Sequence, residues 1–163
     1  MQRIVLPVTL KEIGESAFSC CDLLETVELE EIYGYPDDSA EFVKLKPELE
    51  KIGYEAFNNC LLLKKFDFGE SIKEIDSNAF YGCVSINKLY IPKSMSYIGS
   101  NAFAGCSGLE TVFIMPEVSS WHTENMLYAE YNAFGDNCYI DTLYLGVNTY
   151  DCSSSIGLYP DNV

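Results

Sequence analysis

The chain has 163 residues, 48% of them apolar, and a formal net charge of −15 from 25 acidic and 10 basic side chains. The length suits one ordinary domain, and the composition is that of a folded globular protein. The negative charge repels phosphate backbones and anionic lipids, which argues against nucleic acid and membrane-surface partners. Solubility alone or a cationic partner surface would account for that charge.

The N-terminal segment lacks the long apolar stretch of a signal peptide, and no run of 18 apolar residues predicts a membrane span. Instead, the pattern of residues 4–7 (Ile-Val-Leu-Pro) returns at residues 89–92 (Leu-Tyr-Ile-Pro), at the end of a predicted strand. We therefore expect the chain to begin inside a repeat, as a fragment or mature piece of a longer array. A missing signal segment then says little about the compartment.

One unit dominates the chain, the segment MSYIGSNAFAGCSGLETVFIMP at residues 95–116, which recurs around an Ala-Phe pair. The phenylalanines of the five copies are Phe18, Phe57, Phe80, Phe103 and Phe134. The middle three are 23 residues apart, and the longer first and last gaps indicate insertions. A fixed period in the twenties predicts a solenoid in which each copy is one rung of a coil. We place the repeats, in one domain that covers residues 1–163, at about 8–29, 49–71, 72–94, 95–117 and 129–146, the insertions at 30–48 and 117–131, and a tail or cap at 146–163.

Each copy combines a predicted strand with a predicted turn. Apolar residues recur at the sixth, ninth and eleventh places after the Phe, and this spacing predicts a short strand with one buried face. The preceding segment, such as residues 98–103, is too short for a regular helix and predicts a turn or 3₁₀ segment that places Ala and Phe in the core. Gly14, Gly53 and Gly99 share one position with Asp76. Both residue types tolerate positive φ, which predicts a left-handed corner there.

The units IGESAFSCCDLLETVEL, IGYEAFNNCLLLKKFDF, IDSNAFYGCVSINKLYIP and IGSNAFAGCSGLETVFIMP resemble the BspA-like class of leucine-rich repeats. The resemblance covers nearly the whole chain outside the insertions and the tail. It implies an α/β solenoid, a right-handed leucine-rich repeat array with short parallel strands on one side and few regular helices. It further implies a binding surface without a fixed catalytic motif, as in large secreted or surface proteins of host-associated bacteria and some parasitic protists, implicated in adhesion.

The fifth copy departs from the repeat pattern. It has Ala129-Glu130 where other copies have Ile-Gly, and an atypical terminal repeat is what the end of a solenoid requires. Residues 146–163 are then a cap or a truncated further repeat.

Five cysteines follow the phenylalanines at three places, or at four in the last copy. They are Cys21, Cys60, Cys83, Cys106 and Cys138. Stacked rungs would put them in a column with a spacing of about 4.8 Å, which cannot surround a tetrahedral ion. We expect no metal and small buried side chains packed on the neighbouring turn. Bridges between adjacent rungs are sterically open, but an odd total of seven argues against a disulfide framework.

Strand residues that point away from the core form the natural recognition surface of such an array. At the tenth place after the Phe they include three aromatic residues, which would form a stripe on the outward face. The predicted binding residues are Tyr90, Phe113, Tyr144, Lys65, Lys88 and Thr111, with Trp121 from the second insertion. Aromatic residues supply much of the energy of interfaces. Strands also favour aromatic residues for the stability of the sheet, and one ladder can do both.

The insertions contain no recognisable catalytic or metal-binding motif. They leave the stack at equivalent places, where loops often help to bind, although loop length is also tolerated as surface decoration. Asp37 and Asp38 lack the Asp-x-Asp-x-Asp-Gly loop of a calcium site. The single histidine, His122, has no G-x-S-x-G motif, phosphate-binding loop or dinucleotide motif to accompany it. The sequence therefore predicts neither an enzyme nor a cofactor.

The predicted function is a non-enzymatic module for protein or glycan recognition, with host extracellular matrix as one class of ligand, displayed at a cell surface. The alternative is a structural rod that carries other domains of a larger surface protein and has no ligand of its own. An exposed aromatic patch on the outward face would favour binding.

Overall fold

The computed structural model describes residues 1–34, 42–115, 127–130, 132–135, 138 and 140–145. The strands predicted at the end of each copy pair in parallel, with like positions opposite one another, as in Ile4 with Val27 and Phe113 with Tyr144. They are β1 (Arg3–Leu6), β3 (Thr26–Leu29), β7 (Lys65–Phe66), β9 (Lys88–Ile91), β11 (Thr111–Ile114) and β13 (Thr142–Leu145). They form two three-stranded sheets, β1-β3-β7 and β9-β11-β13.

A second parallel ladder, which the repeat pattern does not predict, runs along another side of the coil. Its strands have two residues each, too short for a periodic pattern to reveal. They are β2 (Glu12–Ile13), β6 (Lys51–Ile52), β8 (Glu74–Ile75), β10 (Tyr97–Ile98) and β12 (Tyr128–Ala129), paired in chain order. The isoleucines that precede the Gly or Asp position point inward from this ladder, and Ile52, Ile75 and Ile98 are completely buried.

The repeat phenylalanines form a continuous column through the core. Their rings stack from each copy to the next with centroids 5.1, 5.2, 5.3 and 5.5 Å apart, from Phe18 to Phe134. The main chain ties the same turns together, since the Phe N–H donates to the Ala carbonyl of the following copy, as from Phe57 to Ala79 at 2.7 Å. The described residues contain turns and no helix at these segments, and none of them forms a helix long and apolar enough to cross a bilayer. The expected solenoid is confirmed.

The predicted left-handed corner at Gly14, Gly53 and Gly99 is wrong, because none of these glycines has positive φ. Positive φ occurs two places before each Phe, at Ser16, Glu55, Asn78, Asn101 and Asn132, and again two places after four of them, at Cys20, Asn59, Gly82 and Gly105. Glycine at the predicted position serves close packing instead. A Cβ on Gly99 would lie 2.5 Å from the nitrogen of Ser77 in the preceding rung.

The first insertion folds back on the coil as a small hairpin. Its strands β4 (Tyr33–Gly34) and β5 (Val43–Lys44) pair antiparallel. Pro47, which follows β5, accepts a hydrogen bond at 2.6 Å through its carbonyl oxygen from the Ser71 hydroxyl. The insertion thus packs beside the second copy. Asp37, Asp38 and His122 lie outside the described residues, as does the tail at 146–163.

The fifth copy is joined to the fourth through the glutamate that replaces glycine. Ala129 pairs with Ile98 in the second ladder, and the Glu130 N–H donates to the Ile98 carbonyl as the Gly99 N–H does to Ile75. The Glu130 carboxylate accepts hydrogen bonds from the Tyr97 hydroxyl at 2.7 Å and from the hydroxyl and N–H of Ser100. The Ser100 and Tyr97 bonds hold the pKa of Glu130 below its usual value, and the bond to Glu130 raises the pKa of Tyr97 to about 12.

Candidate recognition surface

The outward face of β9, β11 and β13 has the alternation expected for strands with one buried side. In β9, Lys88 and Tyr90 are exposed, whereas Leu89 and Ile91 are buried. Since the strands pair in parallel and in register, each outward position becomes a column that runs along the coil.

Tyr90, Phe113 and Tyr144 form the aromatic column. The Tyr90 and Phe113 rings lie 4.6 Å apart with planes 1° from parallel, and the Phe113 and Tyr144 rings lie 4.5 Å apart at 2°. Tyr90 and Tyr144 are each 54% exposed, and Phe113 between them is half-buried. The structure therefore places all three rings on one outward face. Their role in binding stays a prediction.

The rings of the aromatic column stand on edge, since they stack along the coil. Each contact covers two ring faces, so Phe113 presents only edges to solvent, and the column is not a flat platform. The face of Tyr90 turned away from Phe113 has no aromatic neighbour among the described residues. It borders a groove that opens toward the second copy.

The other predicted site residues flank the column where the structure describes them. Thr111 lies opposite Lys88 in the register of β11 with β9 and is half-buried, and Lys65 lies in β7 opposite Thr26. Trp121 lies outside the described residues. The structure therefore brings Lys88, Thr111 and the aromatic column together, with Lys65 across the groove.

Ion pairs neutralise much of the charge on the first rungs. Arg3 contacts Glu28 at 2.6 Å and Lys65 contacts the same carboxylate at 3.8 Å, while Lys64 contacts Glu25 at 2.7 Å. The hydrogen bond and charge of Arg3 lower the pKa of Glu28. Exposed pairs of this kind add little stability, but they direct Lys64 and Lys65 toward the first copy. The acidic side chains of the first copy on this face and the lysines of the second copy therefore largely neutralise one another.

The ladder of this face is interrupted between β7 and β9, which are not hydrogen-bonded neighbours in the described part of the chain. A groove of about 580 Å³ follows the interruption. Its lining includes Lys64, Lys65, Phe66, Asp67, Lys88 and Tyr90. The groove is a feature that the repeat pattern of the sequence does not predict.

We attribute the interruption to two aromatic residues at inward positions of the second copy, where other copies have aliphatic ones. The Phe66 ring packs at 4.7 Å against Phe68 and at 5.1 Å against Phe80 of the next rung. Two rings need more room between rungs than Leu and Ile do. β7 ends at Phe66, and Gly69 shortly after it has a φ of 67°. The aromatic pair was the sequence signal that could have indicated the groove.

The cysteine column is structural, as expected. From the second copy onward, each thiol donates to the Phe carbonyl of the preceding copy: Cys60 to Phe18 at 3.1 Å, Cys83 to Phe57 at 3.2 Å, Cys106 to Phe80 at 3.2 Å and Cys138 to Phe103 at 2.9 Å. Burial raises the pKa of Cys60 to about 11 and that of Cys83 further, which keeps both thiols protonated and unreactive at neutral pH. The cysteines in the described ranges are free, and those ranges hold no group of three potential metal ligands.

A coil in which each turn of about 23 residues contributes a short parallel strand and an apolar core side chain is a leucine-rich repeat protein. The chain belongs to the BspA type leucine-rich repeat family. Residues 1–40 and 32–155 match the family model of a BspA type leucine rich repeat region of six copies. In the described structure, six strands form one face of the coil, here called the strand face: β1, β3, β7, β9, β11 and β13. The leucine-rich repeat family is generally non-enzymatic. The chain matches none of the curated proteins with which it was compared.

Solved structures share the fold at low sequence identity. A leucine rich cell surface protein from Faecalibacterium prausnitzii is 24% identical with a TM-score of 0.63, over 88% of this chain and 35% of that one. A leucine-rich repeat protein from Bacteroides ovatus is 23% identical with a TM-score of 0.63, over 90% and 30%. The pneumococcal vaccine antigen PcpA is 20% identical with a TM-score of 0.55, over 89% and 28%. The chain thus spans about a third of the length of these proteins.

Proposed function

We propose that this chain is a non-enzymatic recognition module of a cell-surface protein and that it binds a protein or glycan ligand through the outward face of its sheet. The observation that carries the proposal is the aromatic column, whose end members Tyr90 and Tyr144 are each 54% exposed. Exposed, rigid aromatic side chains in contiguous array supply binding energy at a small cost in conformational entropy.

The likeness to a bacterial leucine rich cell surface protein supports the proposed location at a cell surface. Host extracellular matrix is one source of ligands for such a surface. The net charge of −15 makes nucleic acid an unfavourable partner.

The alternative function is a structural spacer, and the same column offers an argument for it. Stacked cross-strand aromatic pairs stabilise neighbouring strands by about 0.5 to 1.5 kcal/mol each. In a spacer, Tyr90, Phe113 and Tyr144 would join three rungs and contact no ligand. The two functions differ in one property, which is whether loss of the rings abolishes binding when the fold is kept.

The test uses the 163-residue chain and a triple variant in which Tyr90, Phe113 and Tyr144 are replaced by Ser. Both proteins are applied to arrays of host-matrix proteins and glycans, and the affinity of each captured ligand is measured by calorimetry. We expect the triple variant to lose more than about 100-fold in affinity, since several central aromatic residues are removed together.

The matched control replaces three exposed tyrosines outside the strand face, Tyr33, Tyr54 and Tyr81, by Ser. This variant also loses three exposed aromatic side chains, and we expect it to bind the ligand as tightly as the wild-type chain does. Circular dichroism establishes that both variants are folded. Unchanged affinity in the column variant, or no ligand captured by the wild-type chain, would contradict the proposal and leave the spacer.

A further inference from the structure

The groove between β7 and β9 is lined by more basic than acidic side chains in a strongly acidic protein, although Lys64 and Lys65 are paired with Glu25 and Glu28 outside the lining. Three lysines and one aspartate line it, whereas the whole chain has 25 acidic and 10 basic side chains. The aspartate, Asp67, is engaged locally, since its carboxylate accepts the N–H of Gly69 at 3.0 Å. An anionic ligand is therefore better matched to this groove than to the rest of the described surface.

Lys88 is the cation in the groove that contacts no carboxylate among the described residues. Of the ten basic side chains, all within the described ranges, eight contact a carboxylate, and Lys88 and Lys93 do not. Lys88 lies two residues before Tyr90 in β9, so both side chains project from the same face, about 7 Å apart along the strand. A free ammonium group thus lies beside the uncovered face of an aromatic ring.

The opening between these two rungs is local to the strand face, which does not suit an added strand. An extra strand between β7 and β9 would need them about 9.6 Å apart, twice the usual spacing. The rest of the same two rungs remains closed, because Phe57 and Phe80 stack at 5.2 Å and β6 pairs with β8. The opening is therefore a wedge on the strand face only.

We infer that the groove binds an acidic sugar residue of a longer glycan, with its ring on Tyr90 and its carboxylate or sulfate on Lys88. This inference rests on the proposed function and names its ligand class. The C–H face of a pyranose is slightly positive and packs on the negative face of an aromatic ring. The anionic group accepts a charge-assisted hydrogen bond from the ammonium group. The side-chain amide of Asn87, in the same lining, offers a donor and an acceptor for sugar hydroxyls.

The experiment titrates the full chain with four probes: oligogalacturonate, a heparin-derived oligosaccharide, neutral maltohexaose and a heptaglutamate peptide. Affinities are measured by calorimetry at fixed ionic strength. We expect an acidic oligosaccharide to bind, with the neutral one and the peptide at least about fivefold weaker. Preference for oligogalacturonate would indicate a carboxylate as the recognised group, and preference for the heparin fragment would indicate a sulfate.

Four variants locate the site. Lys88→Gln should weaken binding at least about fivefold, whereas Lys93→Gln, which removes the same charge from the other unpaired lysine, should leave it unchanged. Tyr90→Ala should abolish binding and Tyr90→Phe should retain it, because the ring face is the contact. Equal effects at Lys88 and Lys93, equal affinity for maltohexaose or heptaglutamate, or no binding of either acidic glycan would overturn the inference.

The two proposals fail separately. If the chain binds a matrix protein or neutral glycan through the aromatic column and ignores acidic sugars, the ligand class is wrong and the proposed function stands. If acidic sugars bind equally well to the triple variant of the aromatic column, both are wrong.

Discussion

Replacing Gly99 by Ala should destabilise the protein, although this glycine has an ordinary φ. The added Cβ would lie 2.9 Å from the carbonyl carbon of Asp76 and 2.5 Å from the nitrogen of Ser77, and the shorter of these distances is about 0.9 Å inside the 3.4 Å at which ordinary contact begins. The preceding rung cannot yield freely, because the Gly99 N–H donates to the Ile75 carbonyl at 2.8 Å. Overpacking against main chain costs about 2 to 3 kcal/mol, which in a chain of this size lowers Tm by about 5 to 10 °C.

Gly14 is the matched control, because it has the same place in the first copy and a Cβ there would meet nothing within 4 Å. Gly14→Ala should stabilise the chain by about 0.4 to 1 kcal/mol through the unfolded state. Thermal unfolding followed by circular dichroism measures both variants. If the two substitutions lowered Tm equally, a strained backbone at this position would be the explanation, and the argument from close packing would be refuted.

Two further predictions concern ionisable groups. Iodoacetamide at pH 8 should modify the exposed Cys20 in the native chain and leave Cys83 unmodified until the protein unfolds. Mass spectrometry of the peptides measures both reactions, and labelling of Cys83 in the native state would contradict its burial. The hydrogen bond to Glu130 raises the pKa of Tyr97 from 10.0 to about 12. The stabilisation that this hydrogen bond gives the folded state is therefore complete below pH 10 and is lost as the pH rises from 10 to 12. Tyr97→Phe should therefore reduce the alkaline loss of stability in denaturant titrations, and an identical pH profile would refute this.

The features predicted from the sequence are those that every copy repeats. Five phenylalanines in one position predict a stacked column because a solenoid places equal positions one above another. The outward direction of Tyr90, Phe113 and Tyr144 follows from the period of two in a strand. The same logic predicts the cysteine column, down to its burial. The copies within the chain can be compared with one another, so a position that keeps its residue type in every copy indicates a shared structural role.

Features that occur once, or that depend on two rungs together, were missed. The second ladder has two residues per rung, so no periodicity reveals it. Positive φ at Glu55 breaks the usual preference for glycine, and stacking of adjacent turns imposes it, since the Glu55 N–H donates to the Ser77 carbonyl of the next copy. The groove depends on Phe66 and Phe68 in a single copy. Glu130 reaches two side chains of the preceding copy, a contact that no local pattern contains.

The interruption between β7 and β9 bears on the choice between a binding module and a rod. A rod is stiffest with a continuous ladder, since each strand pair adds hydrogen bonds between rungs, and an open edge leaves main-chain groups to water. In the described part of the chain, the second ladder is continuous from β2 to β12, and the ladder of the strand face is interrupted once, between β7 and β9. At that rung lie the uncovered ring of Tyr90 and the unpaired Lys88. A spacer has no use for this juxtaposition, whereas a binding site requires an accessible aromatic face beside an available charge.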